Sequence, residues 1–385
     1  MNDPALSSLF VPFEDGSLTL PEAGGTLFLR ARAGNGFARE HAAQISCVQS
    51  FKPDADALLH EGFTVLPAPQ AGGTWPLVLV LPPRQRDEAR ALFAEAIRAA
   101  TPGGLVVAAV TNAEGARTAE ADLGQLSPIS GSVSKHKSRV FWTRIDPDGL
   151  DTARLDAAIE RDQPREVVPG FRSRPGLFAF DHVDTGSALL AAALPADLSG
   201  RGADLGAGWG YLAAAVLAQA PGVAVLDLYE AEARALDLAR ANLADVAGTL
   251  GFHWLDVTRG LPSSGYDFIV MNPPFHERRE DRADIGQAFI RAAAAALRPG
   301  GRLYMVANRH LPYEATLTEA FAAIKPLADA SGYKVIEATA KPAAKLKPAA
   351  HKGGRDKGRG KGRDGKGRDE SGDKDRGGRT GGKRR

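Results

Sequence analysis

The sequence predicts two tandem α/β units, each built on a doubly wound, mostly parallel sheet, followed by a basic tail without a fold of its own. Three observations carry this. Strand-like apolar runs alternate with Ala-rich helical stretches through most of the chain. A strand ending in Pro-Pro occurs twice, in WPLVLVLPPRQ (75–85) and YDFIVMNPPFH (266–276). Cationic residues crowd the segment after Lys341. Strand, glycine turn, helix and strand again is the grammar of a sheet whose ligand lies across the carboxyl ends of its strands.

The elements repeat in order. In the first half, Ala33-Gly34-Asn35-Gly36-Phe37 precedes a segment beginning Phe51-Lys52-Pro53; the Pro-Pro strand, the helix DEARALFAEAIRAA and the strand TPGGLVVAAV follow. In the second, Ala207-Gly208-Trp209-Gly210-Tyr211 precedes Tyr229-Glu230-Ala231; YDFIVMNPPFH, IGQAFIRAAAAAL and RPGGRLYMVA follow. Colinear matches of this kind point to duplication of one α/β unit. Turn formers and prolines across 146–176 place the boundary there, giving domains 1–150 and 170–340. On this pairing Arg30, Lys52 and Leu81 stand where the second half has Asp204, Glu230 and Asn272. The first copy has therefore lost its chemistry. Its cations, with Lys135-His136-Lys137-Ser138-Arg139, are available either for RNA phosphates or simply for packing against the second half.

Composition narrows the function classes. With 385 residues and 44% hydrophobic content the chain can bury two full cores. Cys47 is the single cysteine, which excludes a disulfide framework and points to a reducing, cytoplasmic setting. No apolar run is long enough to span a membrane, and the eight histidines form no cluster at metal-ligand spacing. The net charge of +2 conceals an asymmetry: residues 341–385 hold 17 Lys/Arg against 6 Asp/Glu, whereas the remainder is acidic. That Gly-rich tail has too little apolar surface to order itself. It suits either non-specific contact with phosphate backbones or a purely solubilising role.

Candidate site residues cluster at strand ends of the second half. GADLGAGWGYLAAAVLAQA (202–220) reads as a strand, a loop with Gly206, Gly208 and Gly210, and a helix. An acid, Asp204, leads the loop, so a phosphate would be repelled and an ammonium attracted; a cofactor with an amino-acid end is favoured over a dinucleotide. Glu230 ends the next strand, where a carboxylate can accept from both hydroxyls of a ribose, and Asp256 ends the third, able to accept from an adenine amine. Each acid could alternatively be a helix N-cap. At the fourth strand end, the Asn272 side-chain oxygen and the Pro273 carbonyl can accept the two N–H groups of a planar amine, and Phe275 offers a stacking face.

Taken together, Asp204, Glu230, Asp256 and Asn272-Pro273-Pro274-Phe275 resemble the class I S-adenosylmethionine-dependent methyltransferases. The flanking RPGLFAFDHVDTGSALLAAALP (174–195), NPPFH and ANRHLPYEATL (307–317) resemble the bacterial ribosomal RNA (guanine-N2)-methyltransferases of the small-subunit RsmC type. The resemblance implies two tandem Rossmann-like methyltransferase domains, the first degenerate, with S-adenosylmethionine bound in the second and ribosomal RNA as partner. It also implies a place for Asp184-Thr185-Gly186-Ser187 near the methionine end of the cofactor, with Gly186 among the binding residues. Phe180 and His182 depart from the FSRDGLDVGS pattern of that family. Adenine-N6 or protein-glutamine methylation, or a role as an RNA-binding assembly factor, are the alternatives left open by Asn-Pro-Pro-Phe itself.

Overall fold

The computed structural model describes residues 3–343, apart from 23, 24, 71, 275, 278, 279 and 282. The tail beyond residue 343 lies outside the described residues, as does Phe275. The first half contains β1 (Thr26–Leu29), β2 (Ile45–Val48), β3 (Thr64–Leu66), β4 (Trp75–Val80), β5 (Ala100–Thr111), β6 (Gly131–Lys135) and β7 (Ser138–Arg144), in the sheet order β3-β2-β1-β4-β5-β7-β6. A short hairpin, β8 (Arg165–Val168) and β9 (Phe171–Ser173), follows.

The second half contains β10 (Ser199–Leu205), β11 (Gly222–Glu230), β12 (Thr249–Trp254) and β13 (Tyr266–Met271). After a small ladder of β14 (His276–Glu277) and β15 (Glu280–Asp281) come β16 (Leu297–Asn308), β17 (Phe321–Ala330) and β18 (Tyr333–Ala340). Its order, β12-β11-β10-β13-β16-β18-β17, repeats the first sheet strand for strand. In both, the first five strands are parallel and the last two are joined by antiparallel pairing. The buried runs WPLVLV and YDFIVM are the fourth strand of each sheet, and β-branched residues suit strands covered on both faces.

The register corrects two of the expected equivalences. Superposing the Pro-Pro ends makes Val80 equivalent to Met271 and, through their partners, Leu29 equivalent to Leu205 and Val48 to Tyr229. Leu81 then does match Asn272. Asp204, however, is matched by the buried Phe28 rather than by Arg30, and Glu230 by Gln49 rather than by Lys52. The local geometry agrees: Arg30 and Gly206 both have positive φ, 52° and 76°. Gln49 Oε1 accepts from the Phe51 amide at 2.9 Å as Glu230 Oε1 accepts from the Glu232 amide at 2.8 Å. Short Gly-containing loops can be slid by two or three residues in a sequence without penalty, and only strand register fixes them.

The two halves meet through equivalent segments. Phe51 and Glu232, equivalent residues, form an antiparallel bridge, with Lys52 N–H donating to the Ala231 carbonyl at 2.8 Å and Ala233 N–H to the Ser50 carbonyl at 2.9 Å. A local two-fold thus relates the halves, as it would two copies in an isologous dimer. Glu88, buried, accepts from Arg30 at 3.1 Å and from Arg234 at 2.7 Å, and Lys52 pairs with Asp56 and lies over the Trp254 ring. Arg30 and Lys52 are therefore engaged inside the protein. The helix Thr152–Arg161 places Leu155 and Ala158 in the core of the first half, which consequently extends beyond residue 150.

Candidate active site

The glycine loop is built at the switch point of the second sheet, where β10 is flanked by β11 on one side and β13 on the other. Gly206, Gly208 and Gly210 have φ of 76°, 55° and 93°, values that side-chain-bearing residues rarely adopt. A Cβ at Gly208 would meet nothing within 4 Å, so this glycine faces open space. Gly210 caps the helix Tyr211–Gln219, and a Cβ there would press on Leu243 and Ala239. The loop backbone is tied down by Gly206 N–H to Tyr229 carbonyl at 2.8 Å and by Asn242 Nδ2 to Trp209 carbonyl at 2.9 Å. Asn242, unnoticed in the sequence, also bonds both backbone polar groups of Arg172 in β9.

Two carboxylates define the electrostatics. Asp204 is fully buried, and neither of its oxygens has a hydrogen-bond partner among the described residues. Burial, reinforced by the negative charge of Glu230, pushes its carboxyl up to about 8. Glu230 accepts from Gly208 N–H through Oε2 and from Glu232 N–H through Oε1, both at 2.8 Å. Burial raises its pKa as well. Each Glu230 oxygen keeps a second lone pair for a ligand hydroxyl. Asp256 caps the short helix Val257–Arg259, its Oδ1 accepting from the Thr258 amide and hydroxyl. Its capping duty is plain, and Oδ2 takes no part in these two bonds.

Asn272 sits at the end of β13, half-buried, with Pro273 buried beside it. Its Nδ2 donates to Asp184 Oδ2 at 2.9 Å and to Ser187 Oγ at 2.8 Å. Because a carboxylate only accepts, this pairing fixes the amide orientation and leaves Oδ1 for an incoming donor. Asp184 is the N-cap of the helix Thr185–Ala193, its side chain also accepting from Ser187 N–H at 2.8 Å. The Asp-x-x-Ser spacing was the available signal for this pair. At Gly186 a Cβ would come within 2.9 Å of the Tyr333 ring, so this glycine allows close packing on β18. The segment reaches the central cavity through Asp184 and Ser187, which line it together with Phe178, Gly208, Leu212 and Asn272.

A family model described as the methyltransferase small domain matches residues 169–337. The chain is 30% identical over 253 residues to ribosomal RNA small subunit methyltransferase C of Klebsiella pneumoniae, an overlap of 66% of this chain and 72% of that protein. The chain belongs to the ribosomal RNA small subunit methyltransferase C family. The member of this family from Salmonella arizonae is 29% identical over 255 residues, with the same shares covered. The solved structure of the T. thermophilus 16S rRNA guanine-N2 methyltransferase RsmC, in complex with AdoMet and guanosine, shares the fold, with a TM-score of 0.72 at 24% identity over 88% of this chain and 92% of that one.

S-adenosylmethionine fits the residues of this methyltransferase. A buried carboxyl that burial keeps protonated is free to ionise beside a ligand cation, and Asp204, with no hydrogen-bond partner on either oxygen among the described residues, is such a group. The open face of Gly208 gives backbone access, and Glu230 retains acceptor capacity. In the first half Phe28, Arg30 and Gln49 stand where the second half has Asp204, Gly206 and Glu230, and Arg30 points its charge at Glu88. An apolar ring, a cation and an amide there cannot reproduce an acidic cofactor site.

Proposed function

We propose that the second half transfers a methyl group from S-adenosylmethionine to the exocyclic N2 amine of a guanine in the 16S ribosomal RNA of the small subunit. The observation that supports the site assignment is the locked amide of Asn272, a cavity-lining residue whose nitrogen donates to Asp184 and Ser187 while its oxygen takes part in neither bond. The names of the K. pneumoniae and S. arizonae relatives support the ribosomal substrate.

The bound cofactor supplies an electrophilic methyl carbon on a sulfonium. Asp204 and Glu230 hold it, Asp204 toward its ammonium and Glu230 toward its ribose hydroxyls, with Asp256 assigned to the adenine. The amine of guanine has its lone pair delocalised into the ring and must be held out of that conjugation to attack. Asn272 Oδ1 and the Pro273 carbonyl accept its two N–H groups and aim the lone pair, a positioning effect that acts on the transition state. Pro273 and Pro274 restrict the backbone that carries the second acceptor. Charge that develops on the nitrogen acidifies its protons, so no strong base is required, and the proton passes to water. Phe275 is assigned to base stacking by its place in the motif.

The basic tail adds phosphate contacts that carry no sequence information. A ribosomal substrate places the protein in the cytoplasm, and among the described residues no helix is long and apolar enough to cross a membrane. The test is methylation of small subunits from cells lacking the protein, followed by mass mapping of the RNA nucleosides and of the ribosomal-protein peptides. N2-methylguanosine in 16S RNA is expected; methyl-adenine or methyl-glutamine would replace the assignment.

A further inference from the structure

Phe178 is the most exposed large apolar side chain among the described residues, at 62% relative exposure. Its neighbours behave differently. Leu177 is buried at 7%, and both Leu177 and Phe180 pack into the small cluster around Trp209. The chain therefore turns inward, outward and inward again over four residues. The outward turn is made at Ala179 with φ of 48°, a left-handed conformation that a residue with a Cβ adopts only at a cost. The result is a phenyl ring displayed on the wall of the cavity that also contains Asp184, Ser187 and Asn272.

We infer that Phe178 is an acceptor-base wall: its ring stacks on the guanine whose amine Asn272 receives. The inference rests on the proposed guanine-N2 reading and deepens it by naming a residue outside Asn-Pro-Pro-Phe that positions the base. Three facts favour the base over the cofactor as its occupant. The ring shares its cavity with the amide of Asn272 and with Gly206 and Gly208 of the glycine loop, while Glu230 and Asp256, the residues assigned to the ribose and adenine, are not part of that lining. The other aromatic residues of the lining are committed: Trp209 is only 5% exposed, and it packs on Tyr211 at 5.7 Å between ring centroids. A flipped base is a flat, apolar-faced group that has left its stack, and an exposed ring replaces the neighbour it has lost.

The experiment compares the full chain with Phe178→Ala, Phe178→Leu and Phe178→Tyr. Three quantities are measured: affinity for S-adenosylmethionine by calorimetry, KM for small subunits, and quenching of 2-aminopurine riboside fluorescence in the presence of S-adenosylhomocysteine. Stacking on one aromatic ring predicts roughly a tenfold rise in KM for Phe178→Ala and for Phe178→Leu, with restoration by Phe178→Tyr. Quenching should be lost in the Ala and Leu variants and kept in the Tyr variant, and cofactor affinity should stay within about twofold in all. Leu preserves apolar volume, so a packing role would leave it active. Normal KM and quenching in Phe178→Ala would overturn the inference, as would a fall in cofactor affinity that accounts for the whole defect. If the unaltered chain methylates no guanine, the reading beneath the inference fails and the inference falls with it.

Discussion

Asn272 and Asp184 lie 88 residues apart in sequence, yet Asn272 Nδ2 donates to Asp184 Oδ2 at 2.9 Å. The bond fixes the orientation of the Asn272 amide, with its nitrogen toward Asp184. Replacing Asp184 with Asn retains a good helix N-cap but allows either amide orientation at position 272, because the new partner both donates and accepts. Asp184→Asn is expected to lower kcat on the order of tenfold with little change in cofactor affinity. Single-turnover methylation beside cofactor titration reads the two effects separately.

Asp204 makes stability and cofactor binding depend on pH in opposite ways. Its folded carboxyl titrates near 8, above the ordinary 3.8, so the cofactor-free fold holds this proton more tightly than the unfolded chain does. The contribution of this group to stability is complete below about pH 4 and is lost progressively as pH rises toward 8. Asp204→Asn should therefore stabilise the cofactor-free protein more at pH 8 than at pH 5 in urea unfolding. The same substitution should weaken S-adenosylmethionine binding roughly tenfold or more, the usual worth of a charge-assisted contact.

Glu230 and Gln49 offer an internal comparison, since they occupy equivalent strand ends and bond the amide two residues on. The chain is expected to bind one S-adenosylmethionine per molecule. Glu230→Gln should keep the local turn and yet reduce affinity about tenfold, because an amide offers one acceptor oxygen in place of two. Calorimetric stoichiometry settles the first point and the fitted affinity the second; two sites per chain would contradict the decay of the first half.

Removing residues 344–385 should weaken RNA affinity and make it less sensitive to salt, while cofactor affinity stays the same. The slope of log affinity against log salt, with and without the tail, measures this. An unchanged slope would assign the tail to solubility.

Much of this arrangement was legible in the residues themselves. The repeated Pro-Pro strands located the fourth strand of each sheet, and the glycine loop between strand and helix was found as expected, because strand ends and glycine turns are local signals. Placement across the sheet was not legible. Arg30 and Lys52 seemed to replace Asp204 and Glu230, but register puts Phe28 and Gln49 there, and no local pattern encodes which residues of neighbouring strands lie side by side. The same reason hid the Asn272 to Asp184 bond and the Asn242 tether of the glycine loop: each joins segments far apart in sequence. The close packing of Gly186 on Tyr333 was hidden for the same reason.

The most direct test of the central claim is single-turnover methylation of small ribosomal subunits by Asn272→Ala, with cofactor affinity measured on the same preparation. The account predicts near-normal S-adenosylmethionine binding and a fall in the transfer rate on the order of a hundredfold or more, the scale of losing one transition-state contact. Near-normal transfer by Asn272→Ala would place the acceptor site elsewhere and contradict the account.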